Sequence, residues 1–340
     1  MAVRFAILPN LILALLAAAA AAQQPPNSAL PAAGANVPVG EPRALVPGGG
    51  AIPGAAVLGA ADAAPAASGD VVLASAVGKL ARYSSISASI RQRVGLFGHD
   101  LFGSGQYVQR GVDAKRKLRL EMTIQGKRQK SSATRICDGR LLYLLDDIGG
   151  HSTLRVVDLR RVEDALAQAD QARATEWRRF DLGFGGLPRL LAACEENFSF
   201  AAAYQSQLND VPVWVLRGHW KADRLQVLLA GQGGAGPTKN QQPTSLPAHM
   251  PNEVVLYLGR DDLFPYCIEY RSVREAQNKQ GTESHILAAM DFFDVRVDLP
   301  VDETQFVGPA NMAQTDDTEA FITRLGIPRT PREIRDEQKK

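Results

Sequence analysis

The stretch Arg116–Asp147 reads RKLRLEMTIQGKRQKSSATRICDGRLLYLLDD. Within it Leu118, Leu120, Met122 and Ile124 alternate with Arg119, Glu121, Thr123 and Gln125. A period of two puts the apolar set on one face of a strand and the polar set on the other. Asp138-Gly139 then separates two further strand-like runs, Ala133–Cys137 and Arg140–Leu145. Asp-Gly between such runs marks a tight hairpin. The stretch therefore predicts a meander of antiparallel strands with one apolar face. Either the protein's own side chains fill that face, or a guest occupies part of it.

Upstream, Ile86, Ala88 and Ile90 alternate with Ser87, Ser89 and Arg91, which predicts a strand. A loop carrying Gly95, Gly98 and Gly103 is expected to lead into a second strand, Gly105–Arg110. Before them, Val71, Leu73, Ala74, Val77, Leu80 and Ala81 recur at helical spacing behind Asp70, a candidate N-cap. Downstream, Thr153–Leu159 reads as a strand. Helices are predicted over Arg161–Trp177 and Leu187–Cys194, the latter with Pro188 in its first turn. A glycine-rich apolar loop beginning at Leu182 precedes the second helix. These helices either pack on the sheet as ordinary core or form a lid over it. Val211–Lys221, Glu253–Gly259, Tyr266–Val273 and His285–Asp298 read as strands, with a Gly/Pro/Gln-rich loop over Gln232–Pro251. Phe198–Gln205 fits neither period. Ten or eleven strands without β-α-β alternation point to an α+β fold built on an antiparallel sheet.

The ends differ in composition from this middle. Residues 1–22 have a basic start at Arg4, an apolar run, and Ala20-Ala21-Ala22 before Gln23, the pattern of a cleaved signal peptide. The apolar run is too short and alanine-rich to predict a transmembrane anchor, and a periplasmic or other envelope location follows. Residues 23–68, almost all Ala, Pro and Gly, predict a disordered linker. Residues 69–311 are then the folded domain. Residues 312–340 are read as a short helix, Asp316–Leu325, and a charged tail.

Bulk chemistry narrows the function. Lys and Arg number 38 against 36 Asp and Glu, so charge gives no reason to expect nucleic acid as a partner. Cys137, Cys194 and Cys267 have no metal spacing and no C-x-x-C, and ordinary burial is expected for them. His99, His151, His219, His249 and His285 stand far apart, without zinc-site spacing. No G-x-S-x-G elbow, Walker loop or dinucleotide glycine pattern occurs. The paired carboxylates Asp146-Asp147, Asp261-Asp262 and Asp316-Asp317 fall at expected turns and a helix start. No catalytic residue, cofactor or metal is assigned, and the chain is read as a non-enzyme.

Four segments resemble the LolA/LolB-type lipoprotein carriers. They are SASIRQ (Ser87–Gln92), GQYVQR (Gly105–Arg110), CDGRLLYL (Cys137–Leu144) and the closing FFDVRVDLPVDETQF (Phe292–Phe306). The resemblance spans about residues 70–310. It implies an incomplete antiparallel β-barrel with helices covering its concave side, and a cavity for acyl chains. It also implies a gating role for Arg110, although Gly111 stands where the carriers usually have proline. The expected ligand-binding set is Leu118, Leu120, Met122, Ile124, Leu142 and Leu144 on the sheet, with Phe184, Leu187, Leu190 and Leu191 from the cover. The expected partner is a lipid or acylated lipoprotein. The alternative is an envelope module that keeps the fold but binds a protein partner through a sheet edge.

Overall fold

The protein is described here from a computed structural model, over residues 67–96, 99–112, 115–125, 130–168, 185–230, 246, 250–275 and 282–324. The chain runs β1 (Ala67–Ser68), α1 (Gly69–Arg82), β2 (Ser85–Leu96), β3 (His99–Arg110), β4 (Lys117–Gln125), β5 (Lys130–Cys137), β6 (Leu141–Ile148) and β7 (His151–Asp158). It continues α2 (Leu159–Gln168), α3 (Gly186–Asn197), β8 (Phe198–Phe200), β9 (Ala202–Leu208), β10 (Val211–Trp220), α4 (Ala222–Ala230), β11 (Glu253–Gly259), β12 (Pro265–Glu275) and β13 (Thr282–Val297). A short 3-10 turn (Glu303–Phe306), β14 (Gln314–Asp316) and α5 (Thr318–Arg324) close the described part.

The strands form one open sheet in the order β1-β9-β10-β11-β12-β13-β2-β3-β4-β5-β6-β7-β14, with β8 also on β10. All the pairings are antiparallel except β14 with β7. The alternation on β4 holds: Leu118, Leu120, Met122 and Ile124 are buried and their neighbours are not. These four share one buried cluster with Leu73, Ala76 and Leu80 of α1 and with Leu187, Leu190, Leu191 and Cys194 of α3. Helical spacing on α1 and α3 supplies one apolar stripe each, and the sheet supplies the face they cover.

Several expectations shift. Gly95 and Gly103 lie inside the long paired strands β2 and β3 rather than in a loop. Gly103 suits the strand because a Cβ there would crowd Ile124 from β4. Ser68, not Asp70, precedes α1 as N-cap, and the Asp70 carboxylate accepts from the Phe200 amide (2.8 Å). Ala67 and Ser68, read as linker, pair with Ala203 and Ala202 of β9. α4 lies in a stretch for which no helix is predicted; Asp223 in its first turn suits a helix start. The predicted helix over Arg161–Trp177 is described as far as Gln168. Residues 1–66 and 325–340 lie outside the described part.

The short helix expected over Asp316–Leu325 is present as α5, Thr318–Arg324, and it is part of the fold. β14 extends the sheet beyond β7, and Phe321 and Ile322 of α5 join a second buried cluster with Leu142, Leu144, Val157, Leu159 and Val162. Truncating Phe321 to alanine is expected to cost about 3 kcal/mol, the usual loss for a buried aromatic ring. Urea unfolding of the variant measures this; an unchanged midpoint would make α5 a passive appendage.

Candidate ligand-binding site

Register decides which side chains share the inner face. Leu118 stands beside Cys137, then Leu142 and Val157; Leu120 stands beside Arg135, then Leu144 and Arg155. The nine described residues of the expected ligand set therefore divide between two clusters. Leu118, Leu120, Met122, Ile124, Leu187, Leu190 and Leu191 belong to the large cluster. Leu142 and Leu144 belong to the second, under α5. Phe184 lies outside the described residues.

Arg135 explains the split. It projects from the middle of the apolar face and is only 6% exposed. Its guanidinium meets Asp146 at 2.6 Å and donates to the carbonyl of Leu145 at 3.1 Å. Asp146 also pairs with Arg155 (2.8 Å), which reaches Asp317 at the start of α5 (3.4 Å). A buried charge is tolerated only when paired and hydrogen-bonded, and this chain of ions pairs it. The alternation Ala133-Thr134-Arg135-Ile136-Cys137 puts Arg135 on the same face as Leu118, so the signal was present in the sequence. It is overlooked when strands are scored by their apolar residues alone.

The two clusters meet at Cys137, which packs against both. There the protein holds a cavity of about 380 Å³, within the range of ~300–1,000 Å³ usual for small-ligand sites. Val77 and Ala81 of α1, Leu118, Leu159, Cys137 and Pro188 form its apolar walls, and Arg116, Arg189 and Glu163 are its charged lining residues.

α3 meets the sheet beside this cavity through a specific contact. The Tyr107 hydroxyl, fully buried, donates to Gln109 Oε1 (2.5 Å) and accepts from the Leu187 amide (3.0 Å). Gly186, at φ 71°, lies so close to Tyr107 and Gln109 that no side chain fits between them. Arg116 donates to the Gly185 carbonyl (3.2 Å). One orphan amide of the helix start is thus satisfied from β3. Burial raises the Tyr107 hydroxyl well above the ordinary tyrosine range. Neither Tyr107 nor Gln109 was singled out in the sequence, because Tyr107 read as an ordinary strand aromatic.

Arg110, the residue given a gating role by resemblance, faces away from α3. It alternates with Gln109, donates to the Val301 carbonyl (2.9 Å) and pairs with Glu303 (2.9 Å). Lys117 meets the same carboxylate at 2.5 Å, and it, then Arg110, hold the Glu303 carboxyl below its ordinary range. These contacts tie down the segment after β13. The side chains that β3 presents to α3 are Tyr107 and Gln109. Cys137, Cys194 and Cys267 are free thiols. Among the described residues no helix is long and apolar enough to cross a membrane.

No family model matches the sequence, and no curated protein does. Solved structures with a similar chain course include MucB, at 13% identity and TM-score 0.37, over 73% of this chain and 65% of that one. A putative outer membrane lipoprotein-sorting domain from Vibrio parahaemolyticus is 8% identical, with a TM-score of 0.30 over 70% of this chain and 95% of its own. The Mycobacterium tuberculosis lipoprotein LppX is 8% identical, with a TM-score of 0.34 over 69% and 97%. These neighbours have folds of the LolA/LolB-like carrier type.

Two outcomes follow from the α3 contact and the buried thiol. Tyr107→Phe leaves the Leu187 amide and Gln109 without their shared partner, at a cost of about 1–3 kcal/mol. Hydrogen exchange should accelerate in α3 more than in β4; equal acceleration throughout would contradict a local latch. Burial pushes the Cys194 thiol from 9.0 up to about 12. A raised pKa means the folded state keeps a proton that the unfolded chain releases, so stability is full below pH 9 and falls as pH rises toward 12. Cys194→Ala should lose less stability above pH 9 than the parent; identical alkaline slopes would assign the loss to other groups.

Proposed function

We propose that this chain is a noncatalytic envelope carrier whose curved sheet takes an acyl chain or similar amphiphile on its helix-covered, concave face. The observation that carries this reading is the cavity at the seam of the two clusters. It opens beside the first of the four apolar residues of β4 and is bounded by the start of α3. Its apolar walls suit methylenes, each worth about 0.8 kcal/mol when buried. Arg116 and Arg189 suit a carboxylate or phosphate, and Glu163 is the acidic residue of the same lining. α3 is the proposed cover. Its start is held by one neutral hydrogen bond to Tyr107 and one from Arg116 to the Gly185 carbonyl, and the glycines at 185 and 186 permit that start to turn. Entry would lift Leu187, Leu190 and Leu191 and give the guest Leu118, Leu120, Met122 and Ile124. A signal peptide over 1–22, a tether running from 23 up to β1 and a periplasmic location belong to the same proposal.

A second reading has its own support. β9 pairs with β1 over Ala202 and Ala203 only, so its edge from Tyr204 to Leu208 has no second strand among the described residues. An extended segment of a protein partner could add there.

Titration with a fluorescent acyl probe separates the two. The carrier reading predicts saturable binding that Ala81→Trp, which fills the cavity from α1, weakens at least tenfold while circular dichroism stays unchanged. A probe that fails to bind the parent protein would remove the carrier and leave the strand edge.

A further inference from the structure

β2 turns a series of apolar side chains to the inner face: Ile86, Ala88, Ile90 and Val94 are all buried. Gln92 takes the remaining place in that series and is 1% exposed. Neither its amide nitrogen nor its amide oxygen has a hydrogen-bond partner. A buried amide left unpaired at both ends is rare in a folded protein and asks for an explanation.

Its surroundings give one. Gln92 stands between Met290 of β13 and Gly103 of β3, and Gly103 in turn faces Ile124 of β4. Gly103 leaves a gap over which the end of Met122 lies, 3.6 Å from where a Cβ would sit. Gln92 is therefore bordered by a glycine and by two flexible thioethers, side chains that move aside easily. Tyr270 on β12 pairs with Ala288, which pairs with Val94, the next inward residue of β2. The Tyr270 hydroxyl has no oxygen or nitrogen partner and meets only the Cys194 thiol of α3, a weak hydrogen-bonding group. The buried charge of this face, Arg135, is paired and stands on β5. A charged guest group at Gln92 would lie unpaired in an apolar cluster, whereas a neutral group that both donates and accepts satisfies both ends of the amide.

Gln92 shares a row with Ile124, and the cavity touches Leu118. Six residues of strand separate the two, about 20 Å. We propose that Gln92, with Tyr270, is a polar subsite at the far end of the guest path, and that it selects acyl chains carrying a hydroxyl distant from their carboxylate. The carboxylate stays at Arg116 and the hydroxyl reaches Gln92. This rests on the carrier reading above.

The test compares palmitate with ω-hydroxypalmitate on the full chain, by displacement of a fluorescent acyl probe, in the parent and in Gln92→Met. The subsite predicts about tenfold tighter binding of the hydroxylated chain by the parent. In Gln92→Met the preference should reverse, with palmitate affinity and thermal midpoint no lower than in the parent. Weaker binding of ω-hydroxypalmitate than of palmitate by both proteins would overturn the subsite and leave the carrier standing. Failure of both fatty acids and of the probe to bind the parent would overturn the carrier, and the subsite with it.

Discussion

The apolar side of β4 must be kept from water, and α1 and α3 do this. Leu118, Leu120, Met122 and Ile124 share one cluster with both helices. Burial of that row provides the driving force for docking the helices. It also sets the choice between a sealed core and a site, because whatever displaces α3 must replace its leucines. The helix is held at its start by the hydroxyl of Tyr107 and by a glycine pair that brings the backbone close. The neutral bond to Tyr107 and the bond from Arg116 to the Gly185 carbonyl are individually modest. Such a cover can be firm at rest and still removable.

The rest of the inner face is managed by charge. Arg135 interrupts the apolar rows, and its chain of partners through Asp146 and Arg155 ends at Asp317, beside α5. Helix α5 thereby gains both an ionic anchor and an apolar seat over Leu142 and Leu144. The cavity lies at the junction of these two regimes, where Cys137 touches both clusters. An amphiphile suits such a junction, where apolar walls and two guanidinium groups line one cavity.

Much of this was legible in the chain. Period-two alternation located β4, Asp138-Gly139 located the β5–β6 hairpin, and helical spacing located α1 and α3. What escaped were features that depend on register or on distant pairing. β14 is three exposed residues with no alternation, recognisable only beside β7. Gly95 and Gly103 suggested a loop, yet each fits where a neighbouring strand approaches. Arg110 was singled out by resemblance, while alternation gives the inner face to Gln109 and Tyr107. The separation of Leu142 and Leu144 from the β4 row followed from Arg135, one residue whose face is visible in the sequence but whose partner on the next strand is not.

The central claim is that the β4 row exchanges its helix cover for a guest. Methyl NMR of the full chain during titration with an acyl probe tests it most directly. Saturable shifts of Leu118, Met122 and Ile124, together with those of Leu187 and Leu191, are the predicted result. Shifts confined to β9, or no shifts along β4 at saturating probe, would show a permanently filled core and contradict the account.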